Sequence, residues 1–256
     1  MGNKRQSKRV YFNLGQAMVE MIIIMFATLL ILLSLLHFGF MYNAKTVLNY
    51  ATYEAARAGS LNYGSPQAME YALARVLGSL DSTPAPDTDL FSIVRYQASQ
   101  DEAIKDVNTP ELVCIQRISP STTSGHWLVA DQASSIPIDP DIPVYNKYIP
   151  NDHLGYRSDA PDPDGVSIQE ANLLKIKVTY CRKIITPIIG ITMQRLMLQT
   201  YAVDDPDPLE DWTVPTTLSS FEKACYRAKR IPIVSQAVIR MQTPIRNYPF
   251  PTECNK

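Results

Sequence analysis

Histidine is scarce in this 256-residue chain, three residues in all, and with it most of what enzymatic chemistry draws on. No G-x-S-x-G elbow, H-E-x-x-H pair, phosphate-cradling glycine loop or dinucleotide fingerprint occurs. His126 and His153 stand in turn-rich stretches without metal-ligand spacing, and His37 sits inside an apolar run. The expectation is a non-enzyme with no cofactor and no metal. A basic surplus is also missing: the formal net charge is −1, which offers no surface for a polyanion and argues against nucleic acid as a partner. No C-x-x-C pair exists, which disfavours a redox or zinc motif. Two further absences are local. Acidic residues are missing from the first fifteen positions, and charge of either sign is missing from Met21 to Tyr42.

What fills those two gaps organises the chain. The first fifteen residues carry Lys4, Arg5, Lys8 and Arg9, a charge of +4 that leaves about −5 on the remainder. The 22 uncharged residues behind them are enough for a helix to cross a hydrocarbon core of about 30 Å. Cations before an apolar span stay on the cytoplasmic side, so everything after Tyr42 is expected outside. A removable secretory signal fits less well, because the run exceeds the usual apolar core of such signals. Residues 43–58, NAKTVLNYATYEAARA, hold neither Gly nor Pro, so the helix should continue to about Ala58 as a rod of roughly 60 Å. Ala51, Ala55 and Gly59 recur every four positions on it, a stripe where another backbone can come close.

Glu20 is the oddity, a carboxylate at the lip of the apolar run. An ionisable group there calls for a partner. A cut after Gly15 would create one, since the new α-amine of Gln16 lies four residues before Glu20 on the same helical face. A neighbouring subunit's amine would serve equally well.

These residues resemble a known family. The basic leader, Gly15, the glutamate at the fifth position after it and the run GQAMVEMIII resemble the class III signal of type IV prepilins. The continuation MYNAKTVLNYATYEAARAGS is similar to TadE-like minor pilins, or pseudopilins, of the tight-adherence (Flp) pilus system, and IPIVSQAVIRMQ resembles their closing strand. Met21 stands where the Flp pilins carry an aromatic, and Gln16 where a phenylalanine begins the mature chain. The resemblance implies processing between Gly15 and Gln16 by a prepilin peptidase, and an assembly role for Glu20. It also implies a place in the inner membrane or in an extracellular pilus, with other pilins, an inner-membrane platform and its ATPase, and the lipid bilayer as partners. A type II secretion pseudopilin is a closer rival, disfavoured by Gln16 and by Ala17-Met18-Val19 before the glutamate. The alternative from another class is a signal-anchored periplasmic binding module or enzyme that keeps its N-terminus.

Beyond the rod, Ser65-Pro66 opens a helix through about Gly78 with an apolar stripe at Met69, Leu73 and Val76/Leu77. Phe91–Gln97 and Glu111–Ile118 read as strands, able to pair as a hairpin. Residues 131–165 hold six prolines and seven aspartates and read as a long surface loop or insertion, the ligand-facing loop of the alternative. Within it Asp162, Asp164 and Gly165 form part of a calcium-loop pattern, but Ala171 stands where the bidentate carboxylate belongs, so an ordinary turn is expected. Leu173–Ile185 is the clearest half-buried strand. A short apolar helix over 191–199 and an acidic, proline-rich turn over 204–211 follow. Ser219–Arg230 reads as a helix with a serine cap, and Ile231–Met241 as a final strand whose Pro232 favours a sheet edge or bulge. The four cysteines, Cys114, Cys181, Cys225 and Cys254, follow the apolar run, as an oxidising compartment permits, and three pairings are open. The expected one joins Cys114 to Cys181 and Cys225 to Cys254, with free buried thiols as the alternative. The order of elements predicts an α+β chain: leader 1–15, transmembrane and protruding helix 16–60, and an outer domain 61–256 whose antiparallel sheet lies against the outer half of the helix, pilin-like.

Overall fold

A computed structural model describes residues 13–81, 90–109, 112–129, 147–185 and 219–251, together with positions 190, 192, 194, 195 and 254. It is α+β, with a long helix, α1 (Asn13–Leu61), packed through its outer half against an antiparallel sheet. Nothing inside the apolar run breaks α1: Gly39 is solvent-facing, with open space where a Cβ would stand. The end is built by three residues. Asn62 Nδ2 donates to the Ala58 carbonyl at 2.8 Å, Tyr63 and Gly64 take positive φ, and the Gly64 amide closes on the Gly59 carbonyl at 2.8 Å. This glycine is required twice, by its φ of +77° and because a Cβ would run into Ile245.

Reversed by that turn, α2 (Pro66–Asp81) lies back along α1, with Met69, Leu73, Ala74 and Leu77 buried between them. Pro66 occupies the first helical position, where its missing amide costs nothing. Next comes a correction. Phe91–Gln97 is the start of a helix, α3 (Leu90–Val107), and no hairpin with 111–118 forms. Only Ile93 and Val94 in that stretch are β-branched, and the chain runs on without Gly or Pro through Ala103, Ile104 and Val107, which recur at helical spacing and pack into the core. Gln100 Nε2 ties α3 to α2 by donating to the Arg75 carbonyl at 2.8 Å.

The main sheet has the order β1 (Val113–Ser119), β4 (Leu173–Lys183), β5 (Arg230–Arg240), antiparallel throughout. Leu174, Ile176, Val178 and Tyr180 of β4 face the helices and are buried, while Lys175 and Lys177 on the other side are half-exposed. β5 is an edge, and Pro232 sits near its start opposite Cys181, where a missing donor is tolerated. A smaller sheet joins β2 (Leu128–Val129), β3 (Lys147–Ile149) and β6 (Ile245–Arg246). The reading of 131–165 as one surface loop thus meets a strand from Lys147 on; residues 130–146 lie outside the described residues. Two short helices, α4 (Ile168–Ala171) and α5 (Ser220–Arg227), each open with a complete capping box, Ser167 with Glu170 and Ser219 with Glu222. Of the helix expected over 191–199, Thr192, Gln194 and Arg195 are helical, as is Gly190 before it, and the turn at 204–211 lies outside the described residues.

The disulfides join Cys114 to Cys254 and Cys181 to Cys225, with Cα–Cα distances of 5.8 and 5.4 Å, so the expected pairing is corrected. The cause is register. Cys114 stands opposite Thr179, and the Cys181 amide bonds the Leu112 carbonyl, so the two strand cysteines share a face but lie diagonally, two residues out of step. Such diagonal neighbours are about 7–8 Å apart, beyond ordinary disulfide reach. Each is bridged instead by what covers that face: α5 brings Cys225, and the C-terminal tail brings Cys254.

Candidate membrane and assembly surface

The seam of α1 divides it into two parts. From His37 outward one face is covered: His37, Ala44, Leu48, Ala51, Thr52, Ala55, Ala56 and Ser60 are all at most 2% exposed. The Ala51–Ala55–Gly59 stripe therefore packs against the chain's own domain. A Cβ on Gly59 would meet Met69 Cγ at 3.0 Å and Leu174 Cδ2 at 3.2 Å, so α2 and β4 close on the helix there. From Met18 to Leu36 no residue is buried, and Ile22, Ile23, Ile24, Phe26, Ile31 and Leu35 each expose about three-fifths of their surface. At 1.5 Å per residue this uncovered length is about 28 Å, close to the thickness of a bilayer's hydrocarbon. The helix is long and apolar enough to cross a membrane. In water such a surface would be a severe liability; in lipid it is at equilibrium.

Glu20 lies in this uncovered part, exposed, in the second turn or so of the helix. Gly15 and Gln16 stand in the first turn, so the backbone passes helically through the expected processing point rather than breaking at the glycine. Helical spacing puts Gln16 and Glu20 on one face, and a helix that begins at Asn13 keeps them there.

Three other places bear on chemistry. The Asp162–Gly165 turn uses its carboxylates internally. Asp162 Oδ2 accepts from Ser124 Oγ at 2.7 Å and the Gly125 amide at 2.9 Å, and Oδ1 from the amides of Asp164 and Val166 at 3.0 and 3.1 Å. Asp164 Oδ2 accepts from Ser121 and Thr123. His126 Nε2 stands 2.9 Å from the Val166 carbonyl, so that nitrogen carries the proton. The carboxyl of Asp162 is held down to about 2, by the Ser124 hydroxyl first and then by the amides of Val166, Gly125 and Asp164, against the loss of hydration. The unfolded chain binds this proton more readily than the folded one, so the stabilisation is complete above about pH 4 and is lost as pH falls towards 2. Protection factors of the 121–126 amides, corrected for the intrinsic rate at each pH, are expected to fall across that window in the native protein and to be low at every pH in Asp162→Ala.

Arg117 is buried with its guanidinium between the Trp127 and Phe250 rings, 5.2 Å from each centroid. It donates to Asn247 Oδ1 at 2.8 Å and to the Arg246 carbonyl at 3.3 Å, and burial lowers its pKa to about 10, leaving it charged at neutral pH. This pins the C-terminal tail. Sequence reading missed it, because the stack joins three separate stretches of chain. A cleft of about 710 Å³ opens beside that tail, lined by Glu70, Asn108, Ile115, Phe221, Arg227 and Phe250 among others. Burial raises the Glu70 carboxyl, yet no histidine lines the cleft. Among the described residues no group of three or more His, Cys, Asp or Glu is placed to hold a metal ion.

Neither a curated protein nor a solved structure matches the chain. Residues 15–57 match the family model described as TadE-like protein. That match runs over the uncovered helix and most of the seam behind it. Over its N-terminal helix, from Gly15 to Arg57, the chain is similar to the TadE-like family.

Proposed function

We propose that the protein is a minor pilin, or pseudopilin, of a tight-adherence pilus. It is inserted with its N-terminus in the cytoplasm and its α+β domain in the periplasm, and trimmed between Gly15 and Gln16 by a prepilin peptidase. The observation that carries this reading is the division of α1: a TadE-like helix left uncovered for one hydrocarbon thickness and then seamed to its own domain. Such a helix can leave lipid only by exchanging it for other helices of the same kind, which is what a pilus core offers. In that setting Glu20 neutralises the terminal amine of Gln16, its own or a neighbour's, and fixes the axial register of adjacent subunits. The other pilins, the inner-membrane platform and its ATPase are the partners this role requires, and the outer domain supplies specific contacts.

The test is a single substitution with two readouts. Glu20→Gln is expected to reduce pilus formation at least tenfold in cells while the membrane content of the folded protein stays unchanged, since a neutral amide cannot pair the charge of the terminal amine. N-terminal sequencing of the native protein is expected to begin at Gln16. Normal piliation by Glu20→Gln, or an intact leader in cells with an active prepilin peptidase, sinks the proposal. The signal-anchored alternative then gains, with residues 131–165 and the cleft beside Glu70 as the places where its ligand is sought.

A further inference from the structure

Two independent rulers locate the end of the domain that faces the membrane. The first is β5, which climbs beside α1: Lys45 Nζ donates to the Val234 carbonyl, Ser235 Oγ to Asn49 Oδ1 at 2.9 Å, and the Gln242 and Thr243 amides to the Ser60 carbonyl at 3.2 and 3.1 Å. Rising residue numbers on β5 thus match rising numbers on α1. Arg230 lies four strand residues before Val234, about 13 Å, equivalent to about nine helix residues before Lys45, which puts it level with Leu36 and His37. The second ruler is direct packing. Gly190 lies against Ile184, and a Cβ built on it would stand 3.6 Å from His37 Cε1. Ile184 follows Lys183, the register partner of Arg230. Both rulers place the ends of β4 and β5 where the uncovered part of α1 stops.

What those ends present is one kind of chemistry. Lys183 and Lys229 are exposed, the latter just ahead of β5 at φ 55°, and Ile185 is 52% exposed beside them. Gln194 is tied to this end by donating to the Tyr226 carbonyl at 2.9 Å. The acids at this end among the described residues are already engaged: Asp106 pairs with Arg230 at 2.8 Å, and Glu222 completes its capping box. We propose that Lys183 and Lys229, with Ile185 between cations and hydrocarbon, form a collar that binds the phosphates of anionic phospholipids in the outer leaflet of the membrane the helix crosses. The collar rests on the membrane-spanning reading above. Its physical content is that lysines within a Debye length of an anionic surface are attracted to it, while an isoleucine at the interface gains by leaving water. Its consequence is mechanical: the domain is held against the bilayer by composition-dependent contacts until the subunit leaves the membrane.

Full-length protein in nanodiscs of phosphatidylcholine, with and without one-third phosphatidylglycerol, supplies the test by hydrogen exchange. The amides of Ile184 and Ile185 lie outside the sheet ladder and report on cover from below, and those of Ala228 and Lys229, which bond the Ala224 and Tyr226 carbonyls at 3.0 Å, report on the end of α5 beside them. They are expected to exchange about three- to tenfold more slowly in the anionic discs, an advantage that 0.5 M salt abolishes. Lys183→Glu with Lys229→Glu should remove it, and the Gln pair should reduce it. Unchanged protection of residues 176–180 shows that each variant is folded. Equal exchange in both discs, with residues 18–36 protected in each, overturns the collar alone. Free exchange of residues 18–36 removes the membrane reading and the collar with it.

Discussion

Leu48→Ala is expected to cost the outer domain about 3 kcal/mol, within the range of about 2–5 kcal/mol for large-to-small changes at fully buried positions. Leu48 has no exposed surface and belongs to the same core cluster as Met69 and Leu73 of α2 and Leu174, Ile176 and Val178 of β4. Ala51 and Ala55, one and two turns further along α1, are already minimal side chains, so sliding the helix cannot fill the void left at position 48. Guanidinium unfolding of the full chain in detergent, followed by Trp127 fluorescence, measures the change. A loss under about 1 kcal/mol would mean that the sheet does not lean on α1 as described. If the proposed pilin role holds, piliation should fall as well, even though residues 15–36 are untouched.

The second large effect is removal of the Cys181–Cys225 bridge. Its 44-residue separation gives a chain-entropy contribution of about 4 kcal/mol, of which about 2–4 kcal/mol is normally realised. Cys181 and Cys225 have no exposed surface and pack with Phe221 and Cys114, so Cys181→Ala with Cys225→Ala also leaves a small void. The double variant is expected to shift the unfolding midpoint accordingly with the Cys114–Cys254 bridge intact by peptide mapping. A midpoint within error of the native protein would show that α5 is held by packing and its capping box alone. Cys254, by contrast, is partly exposed, and its bridge secures a tail already clamped by Arg117 between two rings.

Elements whose identity depends on neighbours along the chain are legible in the sequence. The absence of charge over Met21–Tyr42 and of Gly or Pro over 43–58 is enough to specify α1, because backbone hydrogen bonds within a helix need no distant partner. Ser65-Pro66, Ser219 with its glutamate three residues on, and the alternation in Leu173–Lys183 are local signals too, and the fold realises each of them. Local signals fail at Phe91–Gln97, where a short apolar stretch fits either period and only its continuation to Val107 reads as a helix. They fail again at the cysteines, whose pairing depends on a strand register that no single strand encodes.

The sequence by itself determined that a membrane-length TadE-like helix leads into an α+β chain, and where its carboxylate and its glycine stand, because both follow from composition and helical spacing. Tertiary structure alone decided how much of that helix stays uncovered, which cysteines meet, what Asp162 and Arg117 hold, and which cations gather at His37's level. Those are properties of juxtaposition: each needs residues tens to more than a hundred positions apart to arrive at one place, and that depends on the free energy of the whole fold rather than on any segment's preference.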